Sequence, residues 1–232
     1  NSYTKRQNLI QSIVEKCALY DIDGINVDFE NMYEEDKEEF SRFIIELMPR
    51  MQEMGIVVSV DVTAPDGAPN WSMCYDRNVI GDVADYLVFM AYDQYGSSDT
   101  KAGTTAGFNW IETSLKKIIE YDEVETEKII LGMPFYTREW TVAQDGTAKS
   151  KVVSMINIKI PTNVEKQWDD TLKQYYMEYK SGKNTIKMWI EDGTSIKEKV
   201  SLVTKYNLGG TSCWRKDMET SNVWSIIKEE LE

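Results

Sequence analysis

The run Asp23-Gly24-Ile25-Asn26-Val27-Asp28-Phe29-Glu30 alternates strictly between apolar and polar side chains from Ile25 onward. Successive side chains of a strand point to opposite faces. Ile25, Val27 and Phe29 then face covering helices. Asn26, Asp28 and Glu30 form a polar column on the other face, the interior of a barrel. Burying an unpaired carboxylate costs several kcal/mol, so a core built only for packing would not choose this column. The competing structural reading is a buried salt bridge or a strand-end cap. A carboxylic acid beside a second carboxyl is equipment for general acid–base chemistry. Glu30 falls at the C-terminal end of the strand, the end at which barrel enzymes place their active sites.

Composition narrows the chemistry further. The 232 residues contain no histidine. That removes the usual general base, the commonest metal ligand and any Ser-His or Cys-His nucleophile pair. Carboxylates, tyrosines, amides and lysines are left to do the work, with no metal and no cofactor expected. Cys17, Cys74 and Cys213 are far apart and odd in number, so they read as small buried apolar residues. With 39 acidic and 26 basic residues the net charge is −13. Such a field repels phosphate backbones and anionic headgroups, which argues against nucleic acid and membrane surfaces as partners. No apolar run approaches the roughly 18 residues of a membrane span.

The elements that must position the column follow from periodicity. Residues 7–20 carry Ile10, Ile13, Val14 and Cys17 at helical spacing. After Glu34, the residues Phe40, Phe43, Ile44, Leu47, Met48 and Met51 form one apolar stripe that ends near Gly55. Residues 56–62 form a β-branched strand, Pro65, Gly67 and Pro69 mark a loop, and 86–91 is an apolar strand. A helix over 110–121, a strand over 128–133, a helix over 196–206, a strand over 210–214 and a helix over 221–231 complete the pattern. Strands open near Gly24, Ile56, Tyr86, Lys128 and Gly210, the first of them about 30 residues apart, the size of one βα unit, which implies a parallel sheet. A doubly wound sheet would carry a glycine-rich phosphate turn after an early strand, and none is present. Five core strands against the eight of a full barrel imply that the first three βα units are missing from this chain. A polar stretch over about 141–187, holding Trp168, Tyr175, Tyr176 and Tyr179, reads as a small insertion.

The motif DGINVDFE resembles the DGxDxDxE signature of glycoside hydrolase family 18, the chitinase and N-acetylglucosaminidase family. Met90-Ala91-Tyr92-Asp93 resembles the family's MxYD at the sixth barrel strand. Gly132-Met133-Pro134-Phe135-Tyr136 resembles its seventh strand. Gly209-Gly210-Thr211-Ser212-Cys213-Trp214 resembles the eighth. The resemblance covers about 9–136 and 188–230. It implies a (β/α)8 TIM barrel of which this chain, 1–232, holds strands 4–8 as one catalytic domain. The α+β insertion over about 141–187 then lies between strands 7 and 8.

The family's mechanism is substrate-assisted. The resemblance implies that Glu30 is the acid that protonates the glycosidic oxygen. Asp28 would orient the substrate's acetamide and Tyr92 would hydrogen-bond it. Met90, Asp93 and Tyr136 would bind sugar, with Trp214 as its floor. Asn26 stands where many chitinases have a further Asp. An amide there cannot share a proton, but it can donate a hydrogen bond to Asp28. Asp28 then lacks the carboxyl neighbour that would raise its pKa by like-charge repulsion. The phrase GINVDFENM, with Asn26 and Asn31, resembles the branch of bacterial spore cortex-lytic and other peptidoglycan N-acetylglucosaminidases. The expected partner is a carbohydrate polymer containing N-acetylglucosamine, met outside the cell, in the cell envelope or in the spore of a bacterium, with the export signal upstream of this chain. A chitinase is the second reading, and an inactive sugar-binding lectin on the same scaffold the third. The retained acid at Glu30 speaks against the lectin.

Other features have two readings each. Trp140, Trp168 and Trp189 could line sugar subsites or pack internally. Glu191-Asp192 could touch substrate, but a helix N-terminus favours acids in any case. Asn70-Trp71-Ser72 is formally a glycosylation sequon, and the acidic run 34–39 reads as a solvated first helical turn.

Overall fold

The computed structural model describes residues 2–232. Strand and helix alternate from α1 (Tyr3–Tyr20) through β1 (Gly24–Val27), α2 (Lys37–Glu53), β2 (Val57–Val62), α3 (Arg77–Val83), β3 (Tyr86–Met90), α4 (Phe108–Glu120) and β4 (Ile129–Pro134). Five further strands follow, β5 (Tyr136–Val142), β6 (Ala148–Ser154), β7 (Gln167–Asp169), β8 (Gln174–Ser181) and β9 (Asn184–Ile190). The chain closes with α5 (Gly193–Tyr206), β10 (Gly210–Trp214) and α6 (Val223–Leu231). One sheet has the strand order β1-β2-β3-β4-β10 and the other β6-β5-β9-β8-β7. The first is the successive strand addition of consecutive βα units.

The chain divides into two compact units. The first contains residues up to Met90, with Ser114–Ile130 and Leu208–Gly210. Within it β1, β2 and β3 pair in parallel, with Asn26 level with Ser59, and Asp61 level with Val88. In β2 (VVSVDV) Val58, Val60 and Val62 are buried, while Ser59 and Asp61 stand on the opposite face with Asn26. The buried valines meet the apolar stripe of α2, whose Phe40, Phe43, Ile44, Leu47, Met48 and Met51 are all buried. Gly55 follows the end of α2 at φ +69, a left-handed conformation that glycine adopts without a Cβ penalty. The helix α3 was not foreseen from periodicity. It is only seven residues long, and its start is set by the Asp76 carboxylate, which accepts from Val79 N.

The second unit contains Ala91–Thr113, Leu131–Asn207 and Thr211–Glu232. Its antiparallel sheet β5–β9 packs Met177, Met188 and Ile190 into a small core with Val153, Ile158 and Tyr179. Trp140 is fully buried, and its indole N–H donates to Gly103 O at 2.8 Å. Helix α5 is capped by Asp192, whose carboxylate accepts from Thr194 N and Ser195 N. Beneath that cap Lys199 and Glu191, both fully buried, pair at 2.9 Å. Glu191 also accepts from Gln174 and Ser195. Burial raises its pKa, and the Lys199 charge and hydrogen bond pull it back.

Candidate active site

The ladder of β1 ends at Val27, and Asp28, Phe29 and Glu30 continue from it outside the strand. The alternation persists past that point. Phe29 stacks against Phe43 at 5.5 Å between ring centroids and meets Phe40 at 5.6 Å, on the α2 side. The Tyr75 hydroxyl donates to Phe29 O at 2.7 Å, which pins the backbone between the two carboxyls. Asn26, Asp28 and Glu30, expected to be buried inside a barrel, are instead exposed. The reason is topological: β1 is the edge strand of its sheet and has a neighbour on one flank only.

The side-chain amide of Asn26 has two N–H groups, and both are committed. One donates to Ser59 Oγ and the other to Asp61 Oδ1, each at 2.8 Å. The expected donation from Asn26 to Asp28 is therefore not available. A carboxyl that the sequence reading passed over stands in this unit instead. Burial pushes Asp61 up from the ordinary 3.8 to about 6, opposed by the Asn26 hydrogen bond and assisted by the negative charges of Asp28 and Glu30. The signal was in the β-branched run, where Ser59 and Asp61 alternate with the buried valines. Tyr75 is raised by burial as well, with Glu30 and Asp28 adding to the effect.

Met90 ends β3 with its side chain buried. In the second unit Tyr92 and Tyr136 meet edge to face at 6.3 Å. Asp93 sits in the left-handed region at φ 56. Its Oδ1 accepts from the Tyr136 hydroxyl at 2.8 Å and from Arg138 at 2.9 Å. Burial, then the charge of Asp93, raises the Tyr136 hydroxyl, so it stays a donor at any ordinary pH. Arg138 is 7% exposed in its side chain and had no motif to announce it. Trp214, at the end of β10, is half exposed, and its carbonyl accepts from Phe135 N at 2.7 Å.

Other candidate sites resolve differently. Trp140 is internal and has no face for a sugar. Glu191 is consumed by the Lys199 pair, and Asp192 by the α5 cap. Trp168, Tyr176 and Trp189 line a cavity of about 340 Å³ in the antiparallel sheet. Cys17 and Cys74 are buried as expected, whereas Cys213 is only partly so. Among the described residues no group of three or more His, Cys, Asp or Glu could hold a metal ion. No helix among them is long and apolar enough to cross a membrane.

Comparison with known proteins gives the family and the fold. The family model for glycosyl hydrolases family 18 matches residues 1–219. The cortical fragment-lytic enzyme of Bacillus subtilis is 26% identical over 242 residues, covering 100% of this chain and 55% of that protein. A chitinase from Chromobacterium violaceum superimposes with a TM-score of 0.88 at 26% identity, over 99% of this chain and 72% of that one. The spore cortex-lytic enzyme SleL of Bacillus megaterium matches at TM-score 0.83 and 24% identity, over 99% of this chain and 54% of that one. The chain spans about half to two thirds of the length of the curated relatives it matches.

Proposed function

This chain belongs to family 18 of the glycosyl hydrolases, and we propose that it hydrolyses β-1,4-linked N-acetylglucosamine in peptidoglycan, of the cell wall or the spore cortex, with retention of configuration. The observation that carries this reading is the column Asn26, Asp28 and Glu30, open to solvent at the end of β1 beside Asp61. A carboxyl in such a column can protonate a leaving oxygen.

The proposed reaction needs only groups of the chain and the substrate. Glu30 gives its proton to the glycosidic oxygen as the bond to the anomeric carbon breaks. The acetamide carbonyl oxygen of the same sugar attacks that carbon from the other face and forms an oxazolinium ion. Asp28 orients the acetamide and balances its positive charge, while the Tyr92 hydroxyl hydrogen-bonds it. Water, deprotonated by Glu30, then opens the ring, so two inversions leave the configuration retained. The rule that reads stereochemistry from carboxylate separation does not apply, because the nucleophile belongs to the substrate. Asp93, held by Tyr136 and Arg138, presents its remaining acceptor sites to a sugar hydroxyl. Trp214 offers a half-exposed aromatic face for stacking, and a sugar-binding part for Met90 rests on the family resemblance of its motif alone.

Peptidoglycan is preferred over chitin for two reasons, the phrase GINVDFENM and the likeness over the whole chain to a cortical fragment-lytic enzyme. Action outside the cell, in the envelope or in the spore follows from that substrate. The chitinase reading is favoured by the likeness to the Chromobacterium protein. The deciding experiment incubates the protein with cortex peptidoglycan and with chitin and identifies the products, with proton NMR of the first-formed anomer. Release of muropeptides as the β-anomer supports the proposal. Products from chitin alone favour the second reading, the α-anomer refutes retention, and failure to cleave either polymer refutes hydrolysis.

A further inference from the structure

We propose that Gln174 and Thr104 are positioning residues for Asp93, joining the loop that carries it to the buried ion pair of Glu191 and Lys199. The consequence for turnover rests on the proposed function. The hold on the loop does not, and it is measurable without substrate.

Glu191 follows β9, Ser195 and Lys199 lie on α5, and Gln174 opens β8. Gln174, Glu191, Ser195 and Lys199 are fully buried, and Thr104 is nearly so. Lys199 Nζ and Ser195 Oγ both donate to Glu191 Oε2, at 2.9 and 2.7 Å. Gln174 Nε2 donates to Glu191 Oε1, and Gln174 Oε1 accepts from the Thr104 hydroxyl. An amide offers a donor to the carboxylate and an acceptor to the hydroxyl at once, which neither a carboxylate nor a hydrocarbon of that size can do. Thr104 Oγ1 also accepts from Ala106 N at 3.2 Å. Such a buried network is rigid, because each broken bond leaves a desolvated polar group behind.

The loop over 91–107 runs between β3 and α4 and carries Tyr92 and Asp93 at its start. Thr105, next in the chain after Thr104, accepts at its carbonyl from Gln94 N at 2.9 Å. That N–H belongs to the peptide unit joining Asp93 to Gln94. The Gln94 side chain closes the same loop by accepting from Gly107 N at 3.0 Å. The Gly103 carbonyl adds a further tie, accepting from the buried Trp140 indole N–H at 2.8 Å. Asp93 has φ 56, a left-handed conformation that is costly for a residue with a Cβ and persists only where its surroundings fix it. Its carboxylate is fixed from β5 by Tyr136 and Arg138. Its backbone is fixed from the buried network through Thr104 and Thr105. Two anchors on one residue set where the carboxylate stands and which of its acceptor sites stay open to a sugar hydroxyl.

The test has two arms on the whole chain, with Thr104→Val, Thr104→Ser and Gln174→Leu. Hydrogen exchange at the Gln94 amide, read by nitrogen-15 NMR, reports the hold on the Asp93 peptide directly. Thr104→Val and Gln174→Leu should each speed that exchange about tenfold or more relative to the amides of α2, while Thr104→Ser, which keeps the hydroxyl, stays near wild type. A Gln94 amide indifferent to Thr104→Val, or loosened equally by Thr104→Ser, overturns the proposal. If Gln174→Leu fails to fold, the two threonine variants carry the test. The second arm measures KM and kcat on soluble cortex peptidoglycan fragments for wild type and the threonine variants. Misplacing a sugar-binding carboxylate should raise KM about tenfold in Thr104→Val, with recovery in Thr104→Ser. A merely structural loss lowers the active fraction, so a fall in kcat at constant KM overturns the positioning role and leaves the hydrolase reading intact. A wild type that turns over nothing refutes the hydrolase reading, and the exchange arm then decides the hold on Asp93 by itself.

Discussion

Replacing Asp61 by Asn is expected to stabilise the protein above pH 6 and to do little at pH 4. The folded state raises the Asp61 pKa from 3.8 to about 6, so it holds a proton that the unfolded chain has already released. Its contribution to stability is present in full below the unfolded value and is lost as pH rises through the folded one. At about 1.4 kcal/mol per tenfold change in affinity, this rise corresponds to roughly 3 kcal/mol. Asp61 is only partly buried, and solvent screening cuts that figure to about 1–2 kcal/mol. The asparagine carries no charge, and its carbonyl can still accept from Asn26. Urea denaturation of both proteins at several pH values between 4 and 7.5 reads the difference directly. Asp61→Asn should gain about 1–2 kcal/mol across that window, most of it between pH 4 and 6. A difference that is constant with pH would show that Asp61 is not desolvated and repelled as described. A stabilising loss of an acid is what a site that trades stability for function should show.

Glu30→Gln should lower kcat on natural glycans by at least about 10²–10⁴-fold, with oligosaccharide binding by calorimetry largely kept. An unchanged kcat would remove Glu30 from the role of acid. Lys199→Met leaves the Glu191 carboxylate buried without its cation and should cost about 3–5 kcal/mol. Scanning calorimetry would show this as a fall of roughly 6–20 °C in Tm, and Glu191→Gln/Lys199→Met should recover much of it. Trp214→Ala removes a half-exposed ring and should raise KM about tenfold, worth ~1.4 kcal/mol of sugar stacking. A change confined to kcat would argue against a stacking floor.

The alternation of DGINVDFE revealed in advance which side chains share a face, because the two-residue period of a strand is a local property. The same holds for the stripe from Phe40 to Met51 and for the order of β and α elements. Family membership was legible for a similar reason, since its motifs are short and contiguous. Pairing between strands is not local. Nothing in the sequence says that Asn26 lies level with Ser59, so the commitment of both its amide hydrogens appears only in the tertiary register. Exposure of the column was misjudged on the same ground, because alternation reports the face of a strand but not whether that strand is an edge. Arg138 and Lys199 were invisible for a further reason. Burial of a cation is decided by the acid that folding brings to it, Asp93 from 45 positions away and Glu191 from eight. Residue types and their period thus defined the chemistry on offer. Long-range register decided which carboxyl acts on which, because charge and hydrogen bonding depend on distance in space rather than along the chain.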